Sequence, residues 1–296
     1  MPKFDLSIII LSYNTKDLLR NCLVSLEKAM TKDLAGETIV VDNASVDGSV
    51  EMIKKEFPEV KLIASKKNLG FTKGNNLGMK KAQGKYLLLL NSDTEVFSDT
   101  LIKMVGFMEK NPRVGLATCR VEFLNGQLDP ACHRGFPTPW AALTYFVGLE
   151  KLLPRLKIFS QYHQLYKNLN SVHEIDSPSG AFSLVRQKVA REVGFLDEDY
   201  FMYGEDLDWA YRIKKSGWQV VFNPQSKIIH YKKQSGRAKA GNNQKARLIR
   251  RSTTNYFYQT MKIFYHKHYR QRYPKLVTGL VILGIELKRI ISQLKN

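Results

Sequence analysis

The chain predicts an α/β fold: a mostly parallel central sheet flanked by helices, followed by a basic helical extension at the carboxyl end. Three observations carry this expectation. Short apolar runs rich in β-branched residues alternate with stretches of helical spacing over about the first 110 residues, the pattern of a parallel sheet covered on both faces. Two of those runs, 38–41 and 86–90, stop on Asp42-Asn43 and Asn91-Ser92-Asp93, at the strand ends where α/β folds keep their ligands. Finally, residues 227–296 hold 17 Lys or Arg against one acid, Glu286, while the remainder carries 29 against 26. The net charge of +19 therefore belongs to the carboxyl quarter.

Each element follows from its local pattern. Residues 6–11, Leu-Ser-Ile-Ile-Ile-Leu, make a first strand buried on both faces. Leu18, Leu19, Cys22, Leu23 and Leu26 then recur at helical spacing, with Asn14 or Thr15 as N-cap. Residues 38–41 form a second strand and 45–49 a capped turn, after which Val50, Ile53 and Phe57 mark a helix ended by Pro58. Residues 60–64 and 86–90 supply two more strands, joined by a Gly-rich helical stretch over 71–82. Beyond Pro112 the pattern loosens. Residues 115–123 and 180–186 read as strands, 187–193 as a short helix, and 220–223 as a strand followed by a loop to His230. Residues 124–176, rich in aromatics and prolines, read as an insertion beside the sheet.

Composition narrows the class. With 44% hydrophobic and 25% charged residues in 296, the chain has an ordinary soluble globular balance. Cys22, Cys119 and Cys132 are odd in number and lack C-x-x-C spacing, which argues against a disulfide framework or zinc knuckle and for a reducing, cytoplasmic setting. The amino terminus shows no apolar signal segment, so export is not expected. The uncharged stretches 135–149 and 276–285 fall short of the roughly 20 residues that span a bilayer. The basic extension suits a polyanion: nucleic acid, anionic membrane or anionic substrate.

The ordered segments Ser7-Ile8-Ile9-Ile10-Leu11-Ser12-Tyr13-Asn14, Val40-Val41-Asp42-Asn43-Ala44-Ser45-Val46-Asp47-Gly48-Ser49, Asn68-Leu69-Gly70-Phe71 with Gly74-Asn75-Asn76-Leu77-Gly78, Leu90-Asn91-Ser92-Asp93 and Gly204-Glu205-Asp206-Leu207-Asp208-Trp209 carry a resemblance. From about residue 5 to 233 the chain resembles the family 2 inverting glycosyltransferases, and within them the bacterial rhamnosyltransferase-like members. The resemblance implies a GT-A, Rossmann-like fold and a nucleoside-diphosphate sugar donor, dTDP-rhamnose or a UDP-sugar. It also implies a lipid-linked or polysaccharide acceptor in cell-surface glycan synthesis and a Mg2+ or Mn2+ cofactor. Residues 1–110 would form the donor half, 111–233 the acceptor and catalytic half, and 234–296 a separate extension.

Residue by residue, the resemblance assigns Asp42 to accept the imide N–H of a uracil or thymine ring, with Ser12, Tyr13, Asn14 and Asn43 around it; a turn cap is the alternative for Asp42. Asn68, Gly70 and Asn76 would lie near the diphosphate or sugar, a plain helix start being the alternative for each, with Asn91 and Ser92 on the donor as well. Asp93 resembles the final acid of the family's D-x-D site and would hold the cation, while Asn91 stands where the first Asp is usual, removing one carboxylate. His230 would complete the metal shell. Asp206 would be the single general base that inversion requires. Glu205, Asp208 and Arg212 would support it, Asp208 and Arg212 being four apart and able to pair; acids in a first helical turn also serve the helix dipole. Residues 177–182 resemble the acceptor-facing turn, and Lys232, Lys233, Ser235 and Arg237 a basic loop closing over the diphosphate.

In the extension, basic residues alternate with Tyr256, Phe257, Tyr258, Phe264, Tyr265, Tyr269 and Tyr273. A nucleic-acid binder has that composition too, and a non-catalytic donor-binding scaffold is a third alternative. Nothing in residues 1–110 resembles a nucleic-acid module, so no nucleic-acid partner is expected. The expected partner is an anionic membrane surface, with the enzyme peripheral on the cytoplasmic face of the cell membrane and 276–291 dipping into the interface.

Overall fold

A computed structural model of the chain describes residues 2–231 and 244–294. The expected basic loop at Lys232, Lys233, Ser235 and Arg237 lies outside the described residues, as does the boundary expected at 233.

The first half builds β1 (Phe4–Ser12), α1 (Lys16–Ala29), β2 (Gly36–Asp42), α2 (Ser49–Glu56), β3 (Lys61–Ala64), α3 (Gly70–Lys81) and β4 (Gly84–Asn91). These strands pair in parallel in the order β3-β2-β1-β4. Leu6, Ile8, Ile9 and Ile10 of β1 are fully buried, as a central strand covered on both faces must be. The glycines of α3 let it lie directly on the sheet: a Cβ at Gly74 would stand 2.3 Å from Leu11 Cδ1, and one at Gly78 2.6 Å from Ile9 Cγ2.

The second half adds β5 (Thr94–Val96), α4 (Thr100–Lys110), β6 (Val114–Glu122), α5 (Pro139–Phe146), α6 (Leu149–Leu152), β7 (His173–Glu174), β8 (Phe182–Arg186), α7 (Gln187–Val193), α8 (Glu205–Lys215) and β9 (Gln219–His230). The sheet continues from β4 as β8-β6-β9-β5, with β7 against β9. Here β8, β5 and β7 run antiparallel to their neighbours while β6 and β9 are parallel, so the parallel character is confined to the first half and to one later ladder.

Two features depart from the sequence expectation. β9 does not stop at Asn223 but runs on to His230, its register against β6 jumping from Asn223 to Lys227. Such a bulge is how a strand absorbs Pro224, which cannot donate to the ladder. The other is β5, three residues immediately after Asp93, too short for any periodicity to announce it.

The extension folds as α9 (Gln244–His268) and α10 (Lys275–Leu294). Phe264, Tyr265 and Tyr269 are buried with Tyr200, Leu207 and Tyr211 in a second hydrophobic cluster. These aromatics are therefore core, not a stacking or lipid-facing surface, which corrects the part the sequence assigned them. Among the described residues no helix is long and apolar enough to cross a membrane.

Candidate active site

The register fixes the two acidic strand ends. Ser12 pairs with Asp42 on one side of β1, and Leu11 with Asn91 on the other. The two acidic ends thus stand on either side of β1, two strand spacings or about 10 Å apart, which suits a nucleoside diphosphate laid from base to phosphates across the strand.

Asp42 is 1% exposed. Its Oδ1 accepts from Ser45 N at 2.9 Å, so one oxygen does cap the turn. Its Oδ2 is buried and has no hydrogen-bond partner among the described residues. An orphaned carboxylate oxygen is costly in a protein interior unless a ligand N–H completes it. Tyr13 is half exposed beside it. Asn14, at φ 53°, braces the following loop, its N–H donating to Ser45 Oγ (2.9 Å) and its Oδ1 accepting from Val46 N (2.8 Å). The buried hydroxyls of Ser12, Thr15 and Ser92 run in a chain with 3.0 Å links from the base side toward the phosphate side.

The residues expected near the diphosphate divide differently. Asn43 accepts from Leu69 N through Oδ1 (2.7 Å) and donates through Nδ2 to Asn68 Oδ1 (2.9 Å) and Gly70 O (3.3 Å). Asn68 Oδ1 also takes Gly70 N at 2.9 Å. These two asparagines clamp the loop that starts α3. Gly70, at φ 80°, has Phe201 O 2.7 Å from where a Cβ would stand, so protein packing by itself demands its glycine. Asn76 is 3% exposed, donates to Leu196 O (2.8 Å) and accepts from Leu196 N (3.1 Å). It pins α3 to the segment before α8.

β5 and the end of β9 create the third group. Thr94 is registered with His230, and Tyr231 N donates to Asp93 O at 2.8 Å. Asp93 Oδ1 and His230 Nε2 are consequently 3.2 Å apart, while His230 Nδ1 meets Asp129 Oδ2 at 3.1 Å. Burial opposes charge on His230, but the hydrogen bonds to Asp129 and Asp93 outweigh it and raise its pKa to about 9. Once Nε2 gives up its proton, a carboxylate oxygen and an imidazole nitrogen at that spacing would match neighbouring ligands of an octahedral cation, about 3 Å apart, with Asp129 orienting the ring as an outer partner does. No group of three or more His, Cys, Asp or Glu among the described residues could hold a metal alone. The set fits a hard cation only if donor oxygens and water complete its shell. Asn91 sharpens this, since it supplies no second carboxylate.

At α8 the chain enters through Gly204 at φ 79°, with Glu205, Asp206 and Asp208 in the first turn. Asp206 Oδ1 accepts from Leu207 N (2.7 Å) and Oδ2 meets Arg134 Nη2 at 2.6 Å. Arg134 also donates to Pro178 O at 2.7 Å, which joins the 177–182 turn to the same group. Burial disfavours the charged guanidinium, but Asp206 and Tyr162 more than compensate and hold it protonated. Sequence reasoning missed Arg134, which stands in the insertion with no local signal. Glu205 is 5% exposed with Oε2 unpartnered, and burial, then Asp206, push its pKa up to about 8. The Asp208–Arg212 pair forms as expected at 2.8 Å. Arg212 also ties Val193 O and Phe195 O, and His268 of α9, given no role from sequence, meets Asp208 Oδ1 at 2.7 Å.

The chain is 27% identical over 242 residues to the N-acetylglucosaminyl-diphospho-decaprenol L-rhamnosyltransferase of Mycobacterium tuberculosis, a match covering 78% of this chain and 77% of that protein. Its backbone resembles the mannosyltransferase PcManGT of Pyrobaculum calidifontis, solved with GDP-Man and Mn2+ (TM-score 0.60, 16% identity, 99% of this chain and 74% of that one). It also resembles GalNAc-T7, solved with UDP, GalNAc and Mn2+ (TM-score 0.57, 17% identity, 77% of this chain), though it spans only 44% of that protein. The family model for glycosyl transferase family 2 matches residues 7–194. On that match, over a GT-A scaffold, the chain belongs to glycosyl transferase family 2 and is a glycosyltransferase.

Proposed function

We propose that the protein transfers a sugar from a nucleoside-diphosphate donor, dTDP-rhamnose or a UDP-sugar, to a lipid-linked or polysaccharide acceptor in cell-surface glycan synthesis, with inversion. The observations that carry this reading are Asp42 with an open carboxylate oxygen at the end of β2, Asp93 just past β4 beside His230 at the end of β9, and Asp206 beside Arg134, which bonds Pro178 ahead of β8. Asp42 takes the base imide, with Tyr13 as a wall and Ser12, Asn14, Asn43 and Asn68 supporting the loops around it. Asp93 and His230 would hold Mg2+ or Mn2+, which would supply charge neutralisation for the departing diphosphate. Asp206 takes the acceptor hydroxyl proton as that oxygen attacks the anomeric carbon from the face opposite the leaving group. Arg134 positions the Asp206 carboxylate, and Glu205, Asp208 and Arg212 hold its helix. Residues 1–110 serve the donor, 111–233 the acceptor and catalysis, and 234–296 attaches the enzyme to the inner face of the cell membrane.

The test is a panel of nucleotide sugars with Mn2+ or Mg2+, followed by nucleoside diphosphate release. One donor should turn over, chelation should stop it and Mn2+ or Mg2+ should restore it. Asp206→Asn should lose about 10²- to 10⁴-fold in rate while still binding donor. An Asp206→Asn enzyme of undiminished rate would overturn the base assignment, and absence of any donor binding by wild type would overturn the whole reading.

A further inference from the structure

α10 is amphipathic in the wrong sense for a helix in water. Lys275 at its start is exposed, but from 276 on its polar side chains are half-buried: Glu286 meets Lys262 of α9 at 2.5 Å and Arg289 of its own helix at 2.7 Å, Ser292 Oγ meets Tyr258 OH at 2.7 Å, and Thr278 Oγ1 meets Tyr265 OH at 3.0 Å. Its outward row is Leu276, Leu280, Leu283, Leu287, Ile290 and Leu294, between 46% and 83% exposed. Every other exposed position from 276 to 294 is Gly or Ile. A second element shares the inversion. On α5 the inward positions are Ala141 and Thr144, while Trp140, Leu143 and, just past its end, Val147 point out at 42%, 51% and 60% exposure. Trp140 Nε1 is satisfied by Ile158 O at 2.7 Å, so its ring is free to meet an apolar phase without stranding a donor. The two elements adjoin, Lys288 Nζ of α10 lying 5.1 Å from the Phe146 ring centroid of α5.

We propose that α5 and α10 together form one docking face for an anionic lipid bilayer. This deepens the membrane reading above by naming the surface and adding the insertion to it. Exposed apolar patches of this extent mark interaction sites, and charge selects the occupant: the carboxyl quarter carries 17 Lys or Arg against one acid, which attracts an anionic headgroup layer and repels a second copy of itself. The Leu row has the spacing of a coiled-coil seam, but the flanking positions that would carry paired charges hold Val277, Gly279, Gly284, Ile291 and Gln293, with Glu286 already bonded within its own chain. No charged side chain stands on the outward row, as a helix lying in an interface requires. The location also serves the chemistry. The insertion that presents α5 supplies Arg134 to Asp206 five residues earlier, so a bilayer against α5 brings a lipid-borne acceptor to the base side of the site.

Flotation of the full chain with phosphatidylcholine vesicles, with and without phosphatidylglycerol, tests the face. Wild type should float with the anionic vesicles and release as salt rises. Leu280→Asp/Leu287→Asp and, separately, Leu143→Asp/Val147→Asp should each lower the bound fraction about tenfold or more, with circular dichroism and thermal midpoint unchanged and turnover on a water-soluble acceptor unchanged. Undiminished flotation of either folded variant overturns the two-element face. So does a sedimentation dimer that Leu280→Asp/Leu287→Asp dissolves in a protein that never floats. Wild type that floats yet turns over no nucleotide sugar leaves the face standing and sinks the glycosyl-transfer reading instead.

Discussion

Glu205 and Asp206 are neighbours in the chain but stand in opposite surroundings. Asp206 has a guanidinium at 2.6 Å and a backbone N–H at 2.7 Å, whereas Glu205 is buried with one oxygen unpartnered beside a second carboxylate. The Gly204-Glu205-Asp206 motif made the acids legible in sequence; their difference was not, because it depends on Arg134, 72 residues away. Glu205 has a consequence for stability. Its folded pKa of about 8 lies above the ordinary 4.5, so between those values the unfolded chain has lost a proton that the folded chain keeps, and stability falls as pH rises through the window. Glu205→Gln should remove that slope, gaining of the order of a few kcal/mol relative to wild type near the upper end. Urea midpoints of both proteins across the window measure it; parallel slopes would show that Glu205 is not held neutral.

At the scale of elements, the strands of the first half were legible since complete burial writes itself into uniform apolar runs. The elements that bring Asp93 to His230 were only partly so. β5 is three residues long, too short for a period, and β9 reads as a strand over 220–223 but carries a proline inside a bulge before His230, so its last stretch shows none. The Gly-rich stretch at α3 was legible as helix, but the reason for its glycines lies in close packing on β1 and against Phe201. That reason predicts a contrast. Gly70→Ala must place a Cβ 2.7 Å from Phe201 O at φ 80°, and should cost about 3 kcal/mol. Gly126→Ala, at φ 75° with nothing within 4 Å, should cost only about 1 kcal/mol. Chemical denaturation of the two variants separates them, and equal losses would mean that the Phe201 contact relaxes freely.

For the whole molecule, the extension is bound into the body through Phe264, Tyr265 and Tyr269, packed with Tyr200, Leu207 and Tyr211, and through His268 on Asp208 at 2.7 Å. Burial would raise the Asp208 pKa, but the hydrogen bonds from His268 and Arg212 outweigh it and lower it. His268→Ala leaves that 1% exposed carboxylate with Arg212 alone, and should cost about 1 to 3 kcal/mol, read as a lower thermal midpoint. An unchanged midpoint would show that the His268–Asp208 contact contributes nothing to holding the helix that bears Asp206. The sequence by itself determined the strands of the first half, their alternation with helices, and the acids at their carboxyl ends, because periodicity and apolar runs report burial, which each segment encodes locally. Only the tertiary structure decided which polar groups meet: Asp93 with His230, Arg134 with Asp206, Asp208 with His268, and Asn76 with the backbone of Leu196. Those pairings depend on where distant segments cross in the folded sheet, and no local pattern of side chains carries that information.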